Sequence, residues 1–215
     1  MNKGMPKSYY NMKNIIKIHF FSGLTISLFV AVHLINHIYS IFGTEAHIEL
    51  MNKLRVVYRN LFVEFVLLLA IIFQVITGLR LFFHKRKTEQ QFFQKLQIWS
   101  GLYLSFFLII HVSSVFAGRY MMDLDTNIYF GISGLHSFPA SLFYIPYYGC
   151  AILSFFVHVA SIHSYKKKKS VLGLSPRQQA RAIIFVGFLI TLIIFYGLTN
   201  GLGGYEIPLE YKMYD

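Results

Sequence analysis

The chain has 215 residues, 55% of them hydrophobic and only 13% charged, with a formal net charge of +11. That balance excludes an ordinary water-soluble domain, in which about a quarter of the residues would be charged. The single cysteine, Cys150, excludes a disulfide framework and a thiolate metal site, and its apolar surroundings read as small-residue packing.

The hydrocarbon core of a bilayer is crossed by roughly twenty predominantly apolar residues in a helix. Segments of this kind run approximately over 18–42, 61–83, 96–116, 140–162 and 182–198. The tail ahead of the first carries Lys3, Lys7, Lys13 and Lys17. The first segment is too long for the apolar region of a cleavable signal and lacks a small-residue cleavage site, so it is predicted to stay in the mature protein. The connection 43–60 contains an amphipathic stretch over 47–58. The second span opens near Glu64, carries Gln74 at mid-depth and Arg80 further on, and ends in the short basic connection with Lys85, Arg86, Lys87 and Lys95. So short a link makes spans two and three antiparallel neighbours. The connection 117–139 is the longest and is expected to fold back over its end of the bundle. Pro139 and Pro146 flank the start of the fourth span, which is followed by Lys166 to Lys169, Arg177 and Arg181. Ser175 and Pro176 read as N-cap and first helical residue of the fifth. No internal repeat or long linker divides the chain, so residues 1–215 are predicted to form one membrane-embedded domain.

These basic groups fall on one side of the predicted bundle, opposed there only by Glu89. Glu45, Glu49, Asp123, Asp125, Glu206, Glu210 and Asp215 fall on the other. The positive-inside bias then predicts a cytoplasmic N-terminus and an external C-terminus, in what is expected to be a bacterial inner membrane. The basic run 166–169 reads as a topology anchor or a contact with anionic membrane lipid, and nucleic acid is not an expected partner.

Histidines inside apolar segments carry the functional argument. An ionisable side chain in hydrocarbon costs a few kcal/mol, so its presence points to function. His33 and His111 each lie fifteen residues from the basic end of spans running in the same direction, about 22 Å deep at 1.5 Å per residue. Imidazoles at matched depth on facing helices are what a bis-histidine haem b requires. The alternative is a pair of core histidines bonded to carbonyls or to each other. His158 lies deep in the fourth span and is a candidate ligand for a second, inner haem, but the second span offers only Gln74 opposite it. His19, His84 and His163 read as interfacial side chains, while His37, His47 and His136 belong to the outer end, where they are candidates for a haem edge or quinone pocket. Glu64 is a candidate for quinone proton transfer, with pairing to Arg59 or Arg55 as the alternative. Arg119 is placed to meet a haem propionate, and Arg80 to meet one of an inner haem or to snorkel. Gly23, Gly78 and Gly101 permit close approach of helices or of a flat macrocycle.

Taken together, His19, Gly23 and the string His33-Leu34-Ile35-Asn36-His37, then Glu64, Gln74 and Gly78, then His111, His158 and Ser175-Pro176-Arg177-Gln178-Gln179, resemble the five-helix cytochrome b membrane subunit of succinate dehydrogenases and fumarate reductases. The resemblance implies an all-α membrane bundle that holds haem b, reacts with quinone, and anchors flavoprotein and iron-sulfur subunits on the cytoplasmic side. It also implies an outer haem held by His33 and His111, and an inner haem held by the second and fourth spans. Gln74 stands where the family has the second span's ligand, so the resemblance leaves the inner haem with His158 alone. Two rival readings are a haem-free membrane anchor or assembly protein, and a proton-coupled or metal-ion transporter using His33, Glu64, His111 and His158 as a relay. The second is disfavoured because no inverted repeat or paired helix break is visible.

Overall fold

The computed structural model describes residues 7–167 and 169–214, and among them the chain is helical with no strand. Lys3, Lys168 and Asp215, counted above in the charge asymmetry, lie outside the described residues. The elements in chain order are α1 (Lys7–Ile38), a 3-10 turn (Tyr39–Phe42), α2 (Thr44–Tyr58), α3 (Leu61–Lys85), α4 (Phe92–Tyr120), α5 (Ile128–His136), α6 (Ser141–Lys166), α7 (Pro176–Leu198) and a second 3-10 turn (Leu209–Tyr211).

Among the described residues, five helices are long and apolar enough to cross a membrane, over Met12–Phe42, Leu61–Lys85, Phe92–Tyr120, Ser141–Lys166 and Pro176–Leu198. The protein is a helical membrane protein. Most of these helices run several residues beyond the predicted apolar segments, because the backbone hydrogen-bond ladder continues through polar ends that hydropathy does not register. The starts follow local chemistry. Asn60 accepts from the backbone N–H of Phe62 to open α3, Gln91 and Gln94 cap α4 reciprocally, and Ser175 and Gln178 form a capping box with Pro176 in the first turn of α7. Pro146 lies inside α6, six positions after its first turn begins at Ala140.

The spanning helices close into a ring. α1 packs on α3, α3 on α4, α4 on α6, α6 on α7, and α7 returns to α1. The seams are lined by small side chains, with Ser22, Ala70, Thr77, Ser100, Ser105, Ala151, Ala160, Ser161, Ala180 and Thr191 all buried. Large apolar residues such as Phe21, Leu28, Phe65, Ile109, Phe185 and Leu192 face outward. This distribution suits a lipid environment, where helices associate by close packing and interhelical hydrogen bonds because lipid offers no hydrophobic drive between them. Cys150 belongs to the outward-facing set, exposed on α6, where lipid can take its side chain; it does not fill a packing gap.

The two ends of the ring differ. One receives the N-terminal part of α1 and the connection 86–91, and it holds Lys17, Lys85, Arg86, Lys95, Lys166, Arg177 and Arg181. The other is capped. The amphipathic stretch expected over 47–58 is helix α2, and the long connection folds back as α5, whose Ile128, Ile132 and Leu135 form a buried cluster with Ile194 and Leu198 of α7. Polar contacts tie this cap together. Ser133 donates to the carbonyl of Tyr211, Asn127 to the Tyr211 hydroxyl at 2.9 Å, and Arg55 pairs with Asp125 at 2.7 Å. The cap and the ring fix the depth of everything inside.

Candidate functional site

The rings of His33 on α1 and His111 on α4 lie with their centres 6.2 Å apart and their planes 63° apart. α1 and α4 do not share a seam of the ring, so this pair faces across its interior. Each ring is steadied by a phenylalanine one turn earlier on its own helix. Phe29 stacks on His33 at 5.5 Å and Phe107 on His111 at 4.9 Å, with planes 17° and 13° apart. His33 lies 3.1 Å from His37 through their Nε2 atoms, so one of the two rings donates to the other. The His111 ring makes no hydrogen bond among the described residues.

Toward the cap the pair meets a cluster of polar side chains. Asn36 Nδ2 is 3.1 Å from His47 Nε2, and the rings of His37 and His47 are 5.4 Å apart. Asn36 Oδ1, His37 Nδ1 and His47 Nδ1 are all buried without a hydrogen-bond partner. An unmatched buried polar atom costs about 1–3 kcal/mol. Three such atoms lie beside the imidazole pair. Burial, with His33 and Arg55 adding positive charge nearby, holds the His47 imidazole down to about 4. It is therefore a neutral ring that can accept or donate a hydrogen bond at neutral pH.

Glu64 does not pair with Arg55 or Arg59. Its Oε1 accepts from Arg119 Nη1 at 2.5 Å, while Arg55 and Arg59 turn to Asp125 at 2.7 and 3.8 Å. The reason is placement: Glu64 is in the first turn of α3, which packs on α4, whereas Arg55 and Arg59 lie on the cap near the segment that carries Asp125. Arg119, expected to meet a propionate, is held by Glu64 and by the faces of Phe116 and Tyr120 at 5.9 and 5.2 Å. His136 Nε2 donates to the Leu198 carbonyl at 3.0 Å, so it ties α5 to α7 and does not line the pair. His163 meets Gln179 Oε1 at 2.7 Å and joins α6 to α7. Arg80 is exposed.

His19 departs from the interfacial role expected of it. Its ring centre is 6.5 Å from that of His158, with planes 69° apart. Its Nδ1 lies 3.0 Å from Thr77 Oγ1, and its Nε2 lies 3.2 Å from Gln74 Nε2. Gln74, expected to face His158, is thus engaged by α1: Ser22 Oγ also donates to its Oε1 at 2.7 Å. His158 Nδ1 lies 3.0 Å from the Gln97 carbonyl and 3.3 Å from Ser100 Oγ. The signal for His19 was present in the sequence as its spacing of fourteen from His33, close to four helical turns. The Phe-x-x-x-His repeat of residues 29–33 and 107–111 was a second unread signal.

Comparison with family models, with curated proteins and with solved structures gives no match to this chain. The chemistry of the donors is therefore the guide. Among the described residues no three or more His, Cys, Asp or Glu converge as a site for a bare metal ion. Opposed pairs of imidazoles do occur, and a tetrapyrrole, which brings its own four equatorial nitrogens, needs no more than two. A metal–imidazole bond is about 2 Å and the ring centre lies about 1 Å further back, so two imidazoles trans on one iron have centres about 6 Å apart. The residues present fit a haem.

Proposed function

We propose that this chain is a haem b membrane subunit of the succinate:quinone oxidoreductase kind, with a cytoplasmic N-terminus and an external C-terminus in a bacterial inner membrane. It passes electrons between membrane quinone and flavoprotein and iron-sulfur partners held at its basic, cytoplasmic end. The observation that carries the reading is the 6.2 Å separation of His33 and His111 across the interior of a membrane bundle. The unmatched polar atoms of Asn36, His37 and His47 beside it support a propionate edge or quinone head-group at the outer end.

Bound haem supplies reversible one-electron transfer. The chain does the rest. His33 and His111 would hold the group, Phe29 and Phe107 hold their ring planes, and the apolar outer faces of the helices keep bulk water from the interior. Glu64 holds Arg119 through Oε1, which leaves its second oxygen to take or release the proton that accompanies quinone chemistry. The basic residues at the ends of α3, α6 and the start of α7 offer charge complementarity to soluble partners.

The test is optical. Full-length protein purified in detergent after haem-replete expression is expected to give a low-spin b-type spectrum, and His33→Ala and His111→Ala are each expected to remove the contribution of the haem this pair holds while far-ultraviolet helicity persists. An unchanged spectrum in both variants overturns the assignment. Colourless protein supports the rival reading of a haem-free anchor, for which the hydrogen-bonded chain from Ser22 through Gln74 and His19 to Thr77 is the favourable observation, since it locks α1 to α3.

A further inference from the structure

We infer that His19 and His158 are a second pair of axial ligands, so that the inner haem takes its ligand from α1 in place of α3. This rests on the haem reading above and adds a site to it. The ring separation of 6.5 Å matches the requirement for two trans imidazoles, as the 6.2 Å of the outer pair does. Like the outer pair, it faces across the interior, because α1 and α6 share no seam of the ring.

The hydrogen bonds around both rings place the proton on Nδ1 and leave Nε2 as the basic nitrogen. A ligating histidine characteristically donates its other ring N–H to a carbonyl or similar acceptor, which fixes the tautomer and the ring plane. His158 does this through Nδ1 to the Gln97 carbonyl at 3.0 Å. In His19, Nδ1 faces Thr77 Oγ1 at 3.0 Å, and the Thr77 hydroxyl is itself spent on the Phe73 carbonyl at 2.5 Å, so Thr77 accepts and His19 Nδ1 donates. Both rings therefore keep Nε2 as the basic atom. At His19 that atom accepts a 3.2 Å hydrogen bond from the Gln74 amide, the interaction that iron would displace. Gln74 is then a positioning residue, retained beside the ligand by Ser22 at 2.7 Å.

Two glycines make room for these rings. A Cβ at Gly101 would stand 3.0 Å from His158 Cε1, and one at Gly78 would stand 3.3 Å from His19 Cε1. Each imidazole edge lies against bare backbone of a neighbouring helix. His19 and His33 are fourteen residues apart on one helix, a rise of about 21 Å with the two side chains about 40° apart around the axis. One helix thus supplies a ligand near each end of the bundle, and the route from the basic end to the capped end gains an intermediate station.

The experiment counts haems. Pyridine haemochrome and protein assays on the full-length chain, with low-spin electron paramagnetic resonance signals, are expected to give two haems b per chain. His19→Ala and His158→Ala are each expected to leave one, with the signal of the outer pair unchanged. His33→Ala is expected to leave the other. Should the alanine variants aggregate, His158→Met and His19→Met are expected to keep two haems and to raise the midpoint potential of one, as a thioether ligand does. A wild-type count of one, lost in His33→Ala and untouched in His19→Ala, overturns this inference and leaves the proposed function standing. Two haems that both survive in His19→Ala with unchanged spectra overturn it as well. A count of zero removes both readings.

Discussion

Phe107 lies flat on His111, 4.9 Å between ring centres and 13° between planes, and it also touches Tyr147 of α6 at 4.9 Å. Because Phe107 and His111 are one turn apart on α4, the stack is a local property of that helix, while the contact with Tyr147 anchors it to the next. An imidazole held from two helices has lost its rotational freedom before any ligand arrives. On the proposed haem reading, Phe107→Ala is expected to leave the helix intact but to free the ring, lowering the temperature at which haem is released on heating. Phe107→Tyr, which keeps the stacking face, is expected to release haem near the wild-type temperature. Absorbance at the Soret maximum during a thermal ramp reads both.

The Glu64–Arg119 pair joins the first turn of α3 to the last turn of α4, with both side chains roughly a fifth exposed. Removing one partner leaves the other charge facing lipid and protein. Glu64→Gln or Arg119→Gln alone is expected to cost about 2–4 kcal/mol, and the double variant less than the sum of the two. Thermal unfolding in detergent checks the cycle. If Glu64 also handles the quinone proton, Glu64→Gln slows quinol-driven haem reduction more than Arg119→Gln does, although both lose the same ion pair.

The cap contributes to acid stability. The His47 imidazole is held down to about 4 by burial first, then by His33 and Arg55, against an ordinary value of 6.5. In the unfolded chain this ring takes a proton as the pH falls through 6.5, whereas in the folded cap it does not until about 4. The unfolded state binds more protons throughout that window, so stability is full above pH 6.5 and declines as the pH falls toward 4, by about 3 kcal/mol at most. Melting temperatures measured across this range are expected to fall on the acid side, and His47→Gln is expected to make the fall smaller.

Two glycines on α7 hold seams that tolerate no side chain. A Cβ at Gly187 would collide with the Phe156 ring of α6, and one at Gly197 would collide with Ser40 and stand 2.7 Å from the backbone N of Ile41. Phe156 can shift at some cost, but the turn at residues 40–41 is backbone and cannot. Gly197→Ala is expected to destabilise by about 1–3 kcal/mol and Gly187→Ala by somewhat less, both read as lowered melting temperatures in detergent.

The helical membrane architecture was legible because it depends on a one-dimensional quantity. A span needs about twenty apolar residues whatever its neighbours are, and its backbone satisfies its own hydrogen bonds. The depth of His33 and His111 was read from the same counting, and the N-cap at Ser175 with Pro176 at the first helical position was legible as a local pattern. Depth alone does not say which helix faces which. His19 stands near the basic residues in sequence and so resembled an interfacial side chain, while Gln74 resembled the partner of His158. Only the closure of the helices into a ring, with α1 seated against α3 and α7, turned Gln74 onto His19 and brought His19 across the interior to His158. Likewise Arg119 won Glu64 from Arg55 and Arg59 because helix packing sets side-chain neighbours. Hydropathy determines how deep a residue lies, whereas the angle about the helix axis and the identity of the helix beyond it are decided by packing.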